Sequence, residues 1–417
     1  MNYEFLNREI NRKHLLYCGL GINILLILFF HVSRNEYGNL WDEGYIYYAR
    51  SILGDYSFGV PPSADQTPGY PVWLVFFMLF LPEDHLALAN IFTLLFSSLI
   101  LYRFLDEMKI NLRVWSGIFV LFIWFLNPFL FFIYRLPLAE NLFIPLLMTS
   151  LLYYLRFLKE GGFKAITFCM LWMALSYYAR PVSIFLPLFL IVPVLIYRRN
   201  IRYYLIACIV FLLILSPWWI RNYNLYGKFV LSNTHSGESM WGSNNEYLLY
   251  EKPEWAGQWV NISAIYETYK TKNQKLSKEI EQYKRIKATY GQSMQSESFA
   301  KERVMEFWRN NITQLPWLSL QKLKWFWHYA GRHPITRTWY FDLLGVFWYL
   351  AWIPFAVMFL FKYPKAEFSA IFYVVAVYFS FLVIATFGSV RLRVPMEFLL
   401  MLMYLNGIPM VLKKLRL

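Results

Sequence analysis

The sequence predicts an all-α, polytopic membrane protein with about ten transmembrane helices (nine to twelve), and three observations carry that expectation. Of 417 residues, 58% are hydrophobic, 21% are aromatic and only 16% are charged, whereas roughly a quarter of a soluble domain is charged. Apolar runs close to the ~20 residues needed to cross hydrocarbon recur along the chain. The short connections between these runs are mostly basic on one side, as cytoplasmic segments are. A chain this apolar cannot hide its surface in one water-soluble core, so lipid is part of its solvent.

The first run, 15–33, follows a polar start containing Asn7, Arg8, Arg12, Lys13 and His14. No small-residue cleavage site follows it, so it reads as a retained anchor rather than a signal peptide. Further spans are expected at 86–105, 114–132, 138–158, 165–178, 182–197, 203–220, 339–361, 368–387 and 394–412. The run 70–81, bracketed by Pro68, Pro71 and Pro82, is too short to cross comfortably and is expected to re-enter or lie on the membrane. Charge supports that choice. If 70–81 does not cross, the N-terminus and the connections 106–113, 159–164, 198–202, 362–365 and 413–416 share one side. The first outer loop, 34–84, then carries two basic residues (Arg34, Arg50) against seven acidic ones.

Three regions follow: an N-terminal transmembrane module 1–220 that includes the outer loop 34–84, a long outer loop 221–338, and C-terminal transmembrane helices 339–417. The net charge of +14 is partly topogenic; the rest sits in 221–337, with 17 Lys/Arg against 10 Asp/Glu. Long loops translocate largely regardless of charge. Such an excess suits either a solvated surface beside anionic lipid or attraction of an anionic, lipid-linked substrate. Within this loop 266–309 is polar, Lys/Glu-rich and free of proline, so it should be mostly helical with a break at Gly291. From Pro316 onward Leu318, Leu320, Leu323, Phe326 and Trp327 mix with Lys322 and Lys324, the pattern of an amphipathic helix lying on the membrane. Cys18, Cys169 and Cys208 all fall in expected spans and read as free thiols.

Three groups of residues can carry chemistry. In 39–73, Trp41-Asp42-Glu43-Gly44-Tyr45 begins an amphipathic helix whose apolar positions Tyr45, Tyr48, Ala49 and Ile52 share a face that can rest on lipid. Adjacent carboxylates at its start either cap the helix or take a proton from an acceptor hydroxyl. The second group is Arg135-Leu136-Pro137-Leu138-Ala139-Glu140. A carboxylate at a membrane helix end faces a cavity or an ion-pair partner, here Arg135 or Arg180. The third is cationic: Arg135, Arg180, Arg221, Arg391 and Arg393 map to outer helix ends, where each alone would simply snorkel to headgroups. Five at one depth suit a phosphate, which planar guanidinium grips in bidentate fashion. Trp41, Tyr45, Trp241 and Trp255 either stack on sugar rings or anchor at the interface.

Five patterns in order resemble the GT-C membrane glycosyltransferases, specifically bacterial relatives of the protein O-mannosyltransferases and the aminoarabinose transferases. They are Asp42-Glu43-Gly44-Tyr45 through Ala49-Arg50; Thr67-Pro68-Gly69-Tyr70-Pro71; Tyr178-Ala179-Arg180-Pro181; Ser216-Pro217-Trp218-Trp219-Ile220-Arg221-Asn222-Tyr223 with Gly227, Gly237, Trp241, Gly242 and Asn244-Asn245; and Arg391-Leu392-Arg393-Val394-Pro395. The resemblance implies a GT-C fold with amphipathic juxtamembrane helices in the first outer loop. It implies an inverting transfer of a hexosyl or pentosyl group from a polyprenyl-phosphate donor to a lipid, glycan or protein acceptor. The setting would be a bacterial or archaeal cytoplasmic membrane, with the active site on the periplasmic or extracellular side. Asp42 would be the catalytic base, Glu43 its neighbour and Glu140 a second acidic residue of the cavity. Arg135, Arg180, Arg221, Arg391 and Arg393 would bind the donor phosphate, with Lys322 and Lys324 as lesser candidates. Tyr45, Tyr70, Trp241 and Asn244 would line the substrate. The chain departs from many relatives in carrying Thr67 where they have His or Pro.

A sugar phosphate already has a good leaving group, so no nucleotide site is required. Two carboxylates are able to hold a divalent metal ion, but no His/Asp/Glu cluster in the sequence demands one. Two other classes compete: a transporter or flippase for a lipid-linked sugar, which would favour paired halves with broken helices, and a non-catalytic component of an envelope assembly complex.

Overall fold

The computed structural model describes residues 11–30, 44–55, 63–110, 120–125, 127–290, 293–328, 357–363 and 366–414, with single positions at 9, 117, 346 and 353. Regular structure among the described residues is helical apart from one isolated bridge at Glu9. In chain order the main helices are α1 (Arg12–Phe30), α2 (Tyr45–Asp55), α3 (Gly69–Met78), α4 (Asn90–Glu107), α5 (Pro128–Tyr134), α6 (Glu140–Glu160), α7 (Phe163–Ala179), α8 (Leu186–Ile196) and α9 (Ile201–Tyr226). Then come α10 (Ser236–Trp241), α11 (Ile262–Glu267), α12 (Gln274–Tyr290), α13 (Met294–Asn310), α14 (Leu315–Phe326), α15 (Glu367–Ala385), α16 (Val390–Arg393) and α17 (Glu397–Lys414).

Among the described residues five helices are long and apolar enough to cross a membrane: α1, α4 with the 3-10 turn before it, α6, α9 and α15. The shorter apolar helices α3, α7 and α8 (with the turn from Pro181) accompany them. Their burial differs in a telling way. Helix α6 is buried almost all round, packed between α4 and α7. Helices α8 and α9 leave Leu188, Leu195, Ile196, Ile209 and Leu213 exposed. A helix apolar on every side yet uncovered by protein needs lipid as its other partner. Most expected spans coincide with these elements, but most of 339–361 lies outside the described residues.

Local chemistry explains the boundaries. Helix α6 ends at Gly161 in the left-handed conformation (φ +76), the usual helix stop. In α9, Pro217 has no N–H to give the Leu213 carbonyl, and the Ser216 hydroxyl donates to that carbonyl instead, at 2.8 Å. The expected span 114–132 is interrupted. Asn127 caps a new helix at Pro128, its Oδ1 accepting from the amides of Phe129 and Leu130.

Helix α3 has 10 residues, so it covers only ~15 Å of a ~30 Å hydrocarbon core. Its exposed residues Val72 and Phe76, with Leu79 and Phe80 just after it, form an apolar surface, consistent with a helix that dips into the membrane without crossing. One expectation for α2 is corrected. Tyr45, Tyr48 and Ala49 are buried rather than laid on lipid, because the short helix α3 packs against that face, with Tyr45 edge-on to Tyr70 at 5.1 Å.

The segment between α9 and α14 has its own small core of Trp241, Tyr247, Leu248, Ile262, Leu276, Ile280, Tyr283, Ala300 and Val304. Helix α12 ends at Tyr290 and α13 begins at Met294, capped by Ser293, on either side of Gly291. Helix α14 starts at Leu315, leaving Leu320 and Trp317 exposed. Its opposite face joins that segment to the last helices. Lys322 Nζ donates to Asn244 Oδ1 and to the Ile384 carbonyl, both at 2.9 Å, and Trp325 Nε1 donates to the Ala256 carbonyl at 2.9 Å.

Candidate active site

Glu140 is the first residue of α6 and is fully buried. Two asparagines shape the turn before it. Asn141 Nδ2 reaches the carbonyls of Ile133, Leu136 and Leu138 at 2.8–3.1 Å, and Asn90 Nδ2 reaches those of Tyr134 and Leu136. With those carbonyls satisfied, the 135–139 turn holds Glu140 at the end of the helix bundle rather than in its middle.

Two guanidiniums meet the Glu140 carboxylate. Arg180 Nη1 and Arg391 Nε both donate to Oε1, and Arg391 Nη2 donates to Oε2 at 2.8 Å. Arg180 follows the last residue of α7, and Arg391 lies in the short helix α16. The side chains of Arg180 and Arg391 remain 19% and 31% exposed while Glu140 is sealed. An isolated carboxylate here would cost several kcal/mol to bury. Paired twice, it fixes the position of both arginines.

The sequence patterns that lie far apart along the chain touch around this ion pair. Thr67 Oγ1 donates to the Ala179 carbonyl at 3.4 Å. A Cβ on Gly69 would stand 2.5 Å from the Tyr178 carbonyl, so only glycine allows the start of α3 this close to Arg180. Trp219 Nε1 donates to Tyr177 Oη at 3.1 Å. Tyr45, Tyr70, Leu138 and Ala139 share one buried cluster, which ties α2 and α3 to the residue before Glu140.

A second polar group lies nearby in the fold. Tyr48 Oη donates to Asp65 Oδ2 and Thr234 Oγ1 to Asp65 Oδ1, at 2.8 and 2.9 Å. Tyr48 Oη also lies 2.8 Å from Ser63 Oγ. Arg221 Nη1 donates to the Ser63 carbonyl at 2.7 Å and to Asn222 Oδ1 at 2.9 Å, and its guanidinium lies over the Trp218 ring. Burial raises the Asp65 carboxyl above its ordinary range, against the Tyr48 and Thr234 hydrogen bonds that favour the ionised form. Asp65 was not singled out from sequence; a carboxylate two residues before Thr67-Pro68-Gly69 was the available signal.

The remaining candidates are distributed differently. Arg135 is half-buried, its guanidinium 5.6 Å from the Phe131 ring centre. Arg393 is fully buried and donates to the carbonyls of Phe326 and His328 at 2.8 and 2.9 Å, with Glu397 beside it. It therefore stitches the end of α14 to α17 and has no open side. Trp241 lies edge-on to Tyr283 in the small core between α9 and α14. Asn244 is buried, accepting from Trp308 Nε1 and Lys322 Nζ. Lys324 stands over the Trp325 ring. Tyr70 is buried and donates to Asn90 Oδ1 at 3.3 Å. Trp41, Asp42 and Glu43 lie outside the described residues. Among the described residues no three His, Cys, Asp or Glu side chains gather as a metal site would require.

No protein-family model matches the sequence, and no curated protein matches it. Among solved structures, the chain is similar to ArnT from Cupriavidus metallidurans bound to undecaprenyl phosphate, with 14% identity and a TM-score of 0.40 over 95% of this chain and 78% of that one. It is similar to the apo state of the same protein with 14% identity and a TM-score of 0.41, over 95% of this chain and 77% of that one.

Proposed function

We propose that this chain is an inverting glycosyltransferase that moves a sugar from a polyprenyl-phosphate carrier to an acceptor at the outer face of a cytoplasmic membrane. The observation that carries the reading is the paired clamp on Glu140: two arginines from distant segments, held at one helix end by one buried carboxylate, with side chains that are not fully buried. A phosphate arriving from the lipid would find fixed cations there, and Arg221 adds a third near Asp65.

In the proposed reaction the acceptor hydroxyl oxygen attacks the anomeric carbon of the sugar. Its proton passes to Asp42, which precedes Tyr45 by three residues. The bond between that carbon and the phosphate oxygen breaks, leaving polyprenyl phosphate with one more negative charge. Fixed guanidiniums stabilise that charge as it develops, without needing to reorganise. Glu140, both of whose oxygens are occupied by arginine, acts here as a positioning residue for Arg180 and Arg391.

The test is transfer of radiolabelled sugar from a synthetic polyprenyl-phosphate donor by purified protein in detergent. Label appearing in an acceptor fraction, and disappearing with Asp42→Asn at unchanged expression, supports the reading. Protein that moves such lipids between leaflets but never transfers sugar overturns it.

A further inference from the structure

Beyond the Glu140 site, and at the other end of the same helices, a cavity of about 370 Å³ opens between α4, α6 and α7. Its walls are Phe96, Leu99, Ile100, Thr149, Leu152 and Trp172, and its rim carries Arg103 and Arg156. The 16 residues from Glu140 to Arg156 on α6 span ~24 Å, so this rim lies on the opposite side of the membrane from the arginine clamp.

The two ends of the cavity differ in chemistry. Arg103 on α4 and Arg156 on α6 each lie four residues before the last residue of their helix, the depth at which headgroups meet hydrocarbon. Arg156 is held there: its Nε donates to Glu107 at 2.9 Å and its guanidinium lies over the Tyr153 ring. Lys159 shares Glu107. Arg103 is exposed, and among the described residues it has no hydrogen-bond or ion-pair partner. Arg156 and Lys159 share Glu107 and Asp106 is paired with Arg12, so Arg103 gives this rim a further positive charge. From Arg103 to Phe96, and from Arg156 to Thr149, each wall descends seven residues, or ~10 Å. The walls are apolar and aromatic, with Phe96 and Trp172 rings 5.9 Å apart. Exposed Leu99 and Leu95 place the opening toward the lipid rather than inside the protein.

We infer that this groove binds a membrane phospholipid with an anionic headgroup, its phosphate between Arg103 and Arg156 and one acyl chain along Leu99, Leu152 and Trp172. Charge complementarity selects the headgroup, because the unpaired Arg103 beside a tethered Arg156 matches a phosphate at headgroup depth. The length and polarity of the walls suit the first carbons of a chain and exclude a soluble anion, which would leave them empty. This inference is independent of the sugar-transfer reading.

Native mass spectrometry of the full chain in detergent, titrated with phosphatidylglycerol, phosphatidylcholine or undecaprenyl phosphate, tests it. One saturable phosphatidylglycerol site, filled in preference to phosphatidylcholine, is expected. Arg103→Gln should reduce that preference about fivefold, the effect of one headgroup cation. Leu99→Trp, on the exposed wall, should weaken both phospholipids irrespective of charge. Both positions are surface ones, so the thermal transition should be unchanged and binding loss is readable. Equal binding of the two phospholipids, with no effect of Arg103→Gln, would mean that the arginine only snorkels, and overturns the inference. Tighter binding of undecaprenyl phosphate, sensitive to both substitutions, would give the groove to the polyprenyl carrier and also overturn it.

Discussion

Arg391 holds both carboxylate oxygens of Glu140 across 251 positions of sequence, with Nη2 2.8 Å from Oε2. That grip joins the start of α6 to the short helix before the last span, and Arg180 closes it from a third direction. Three segments therefore share one buried charge.

Arg391→Ala or Glu140→Gln should lower stability by about 3 kcal/mol, the low end for opening a buried pair, since both arginines keep some solvent. Arg391→Lys should recover little, because an ammonium cannot span two oxygens as the guanidinium does. Thermal unfolding in detergent measures this. A lysine variant as stable as the parent would remove the bidentate geometry from the argument.

If the arginines bind donor phosphate, Arg221→Ala and Arg391→Ala should raise the KM for the polyprenyl donor about tenfold while barely changing that for a soluble acceptor analogue. Steady-state kinetics with each substrate varied in turn checks it. Equal losses for both substrates would make these arginines structural.

Gly69→Ala should cost about 1–3 kcal/mol, the usual penalty for forcing atoms into a packed site. The new Cβ meets the Tyr178 carbonyl at 2.5 Å, and relief must move the backbone that carries Arg180. The expected result is a larger loss of activity than of stability, read by comparing initial rates with thermal midpoints. Unchanged activity would show that the start of α3 does not set Arg180.

Lys322 gives a pH signature. Burial pushes its ammonium down to about 7, while the unfolded group titrates near its ordinary value of 10.5. Between these values the unfolded chain binds more protons, so stability rises with pH across that window and the buried charge costs most below it. Lys322→Met should therefore raise the thermal midpoint at pH 6 by about 1–2 °C, with the gain shrinking as pH climbs above 7. A difference that stays constant from pH 6 to 9 would contradict the buried-charge account.

Asp65→Asn keeps one acceptor oxygen for Tyr48 or Thr234 and turns its NH2 to the other hydroxyl, which can accept it, so the variant should fold. Because burial raises the Asp65 carboxyl, ionising it in the folded state costs stability as pH climbs from its ordinary value of 3.8 toward and through the folded value. The asparagine variant should gain relative to the parent in that direction, seen in melts from pH 4 to 8. No pH-dependent gap would mean that the carboxyl titrates normally.

The membrane architecture was legible because hydrocarbon is a demanding solvent. Apolar runs near helix-crossing length, basic turns and the proline-bracketed run 70–81 each follow from what lipid tolerates, and α3 at 10 residues agrees. The glutamate and the arginines were legible one by one, since charge at a membrane helix end is costly enough to stand out. Their pairing was only half legible. Arg180 was a named partner for Glu140, but Arg391 lies 251 residues away, and no periodicity links them. Arg393, two residues on, looks equivalent in sequence, yet it turns inward to the Phe326 and His328 carbonyls.

The same division holds for the aromatic and amide candidates. Trp241 and Asn244 carry residue types that could meet a sugar, but their neighbours Tyr283, Trp308 and Lys322 enclose them. By itself the sequence determined that the chain lives in lipid and which charged residues are costly enough to matter. Tertiary structure alone decided which of those charges pair, which stay open and which are sealed, because pairing depends on where helix ends meet in space. One-dimensional spacing specifies the face of a helix but not the neighbour that covers it.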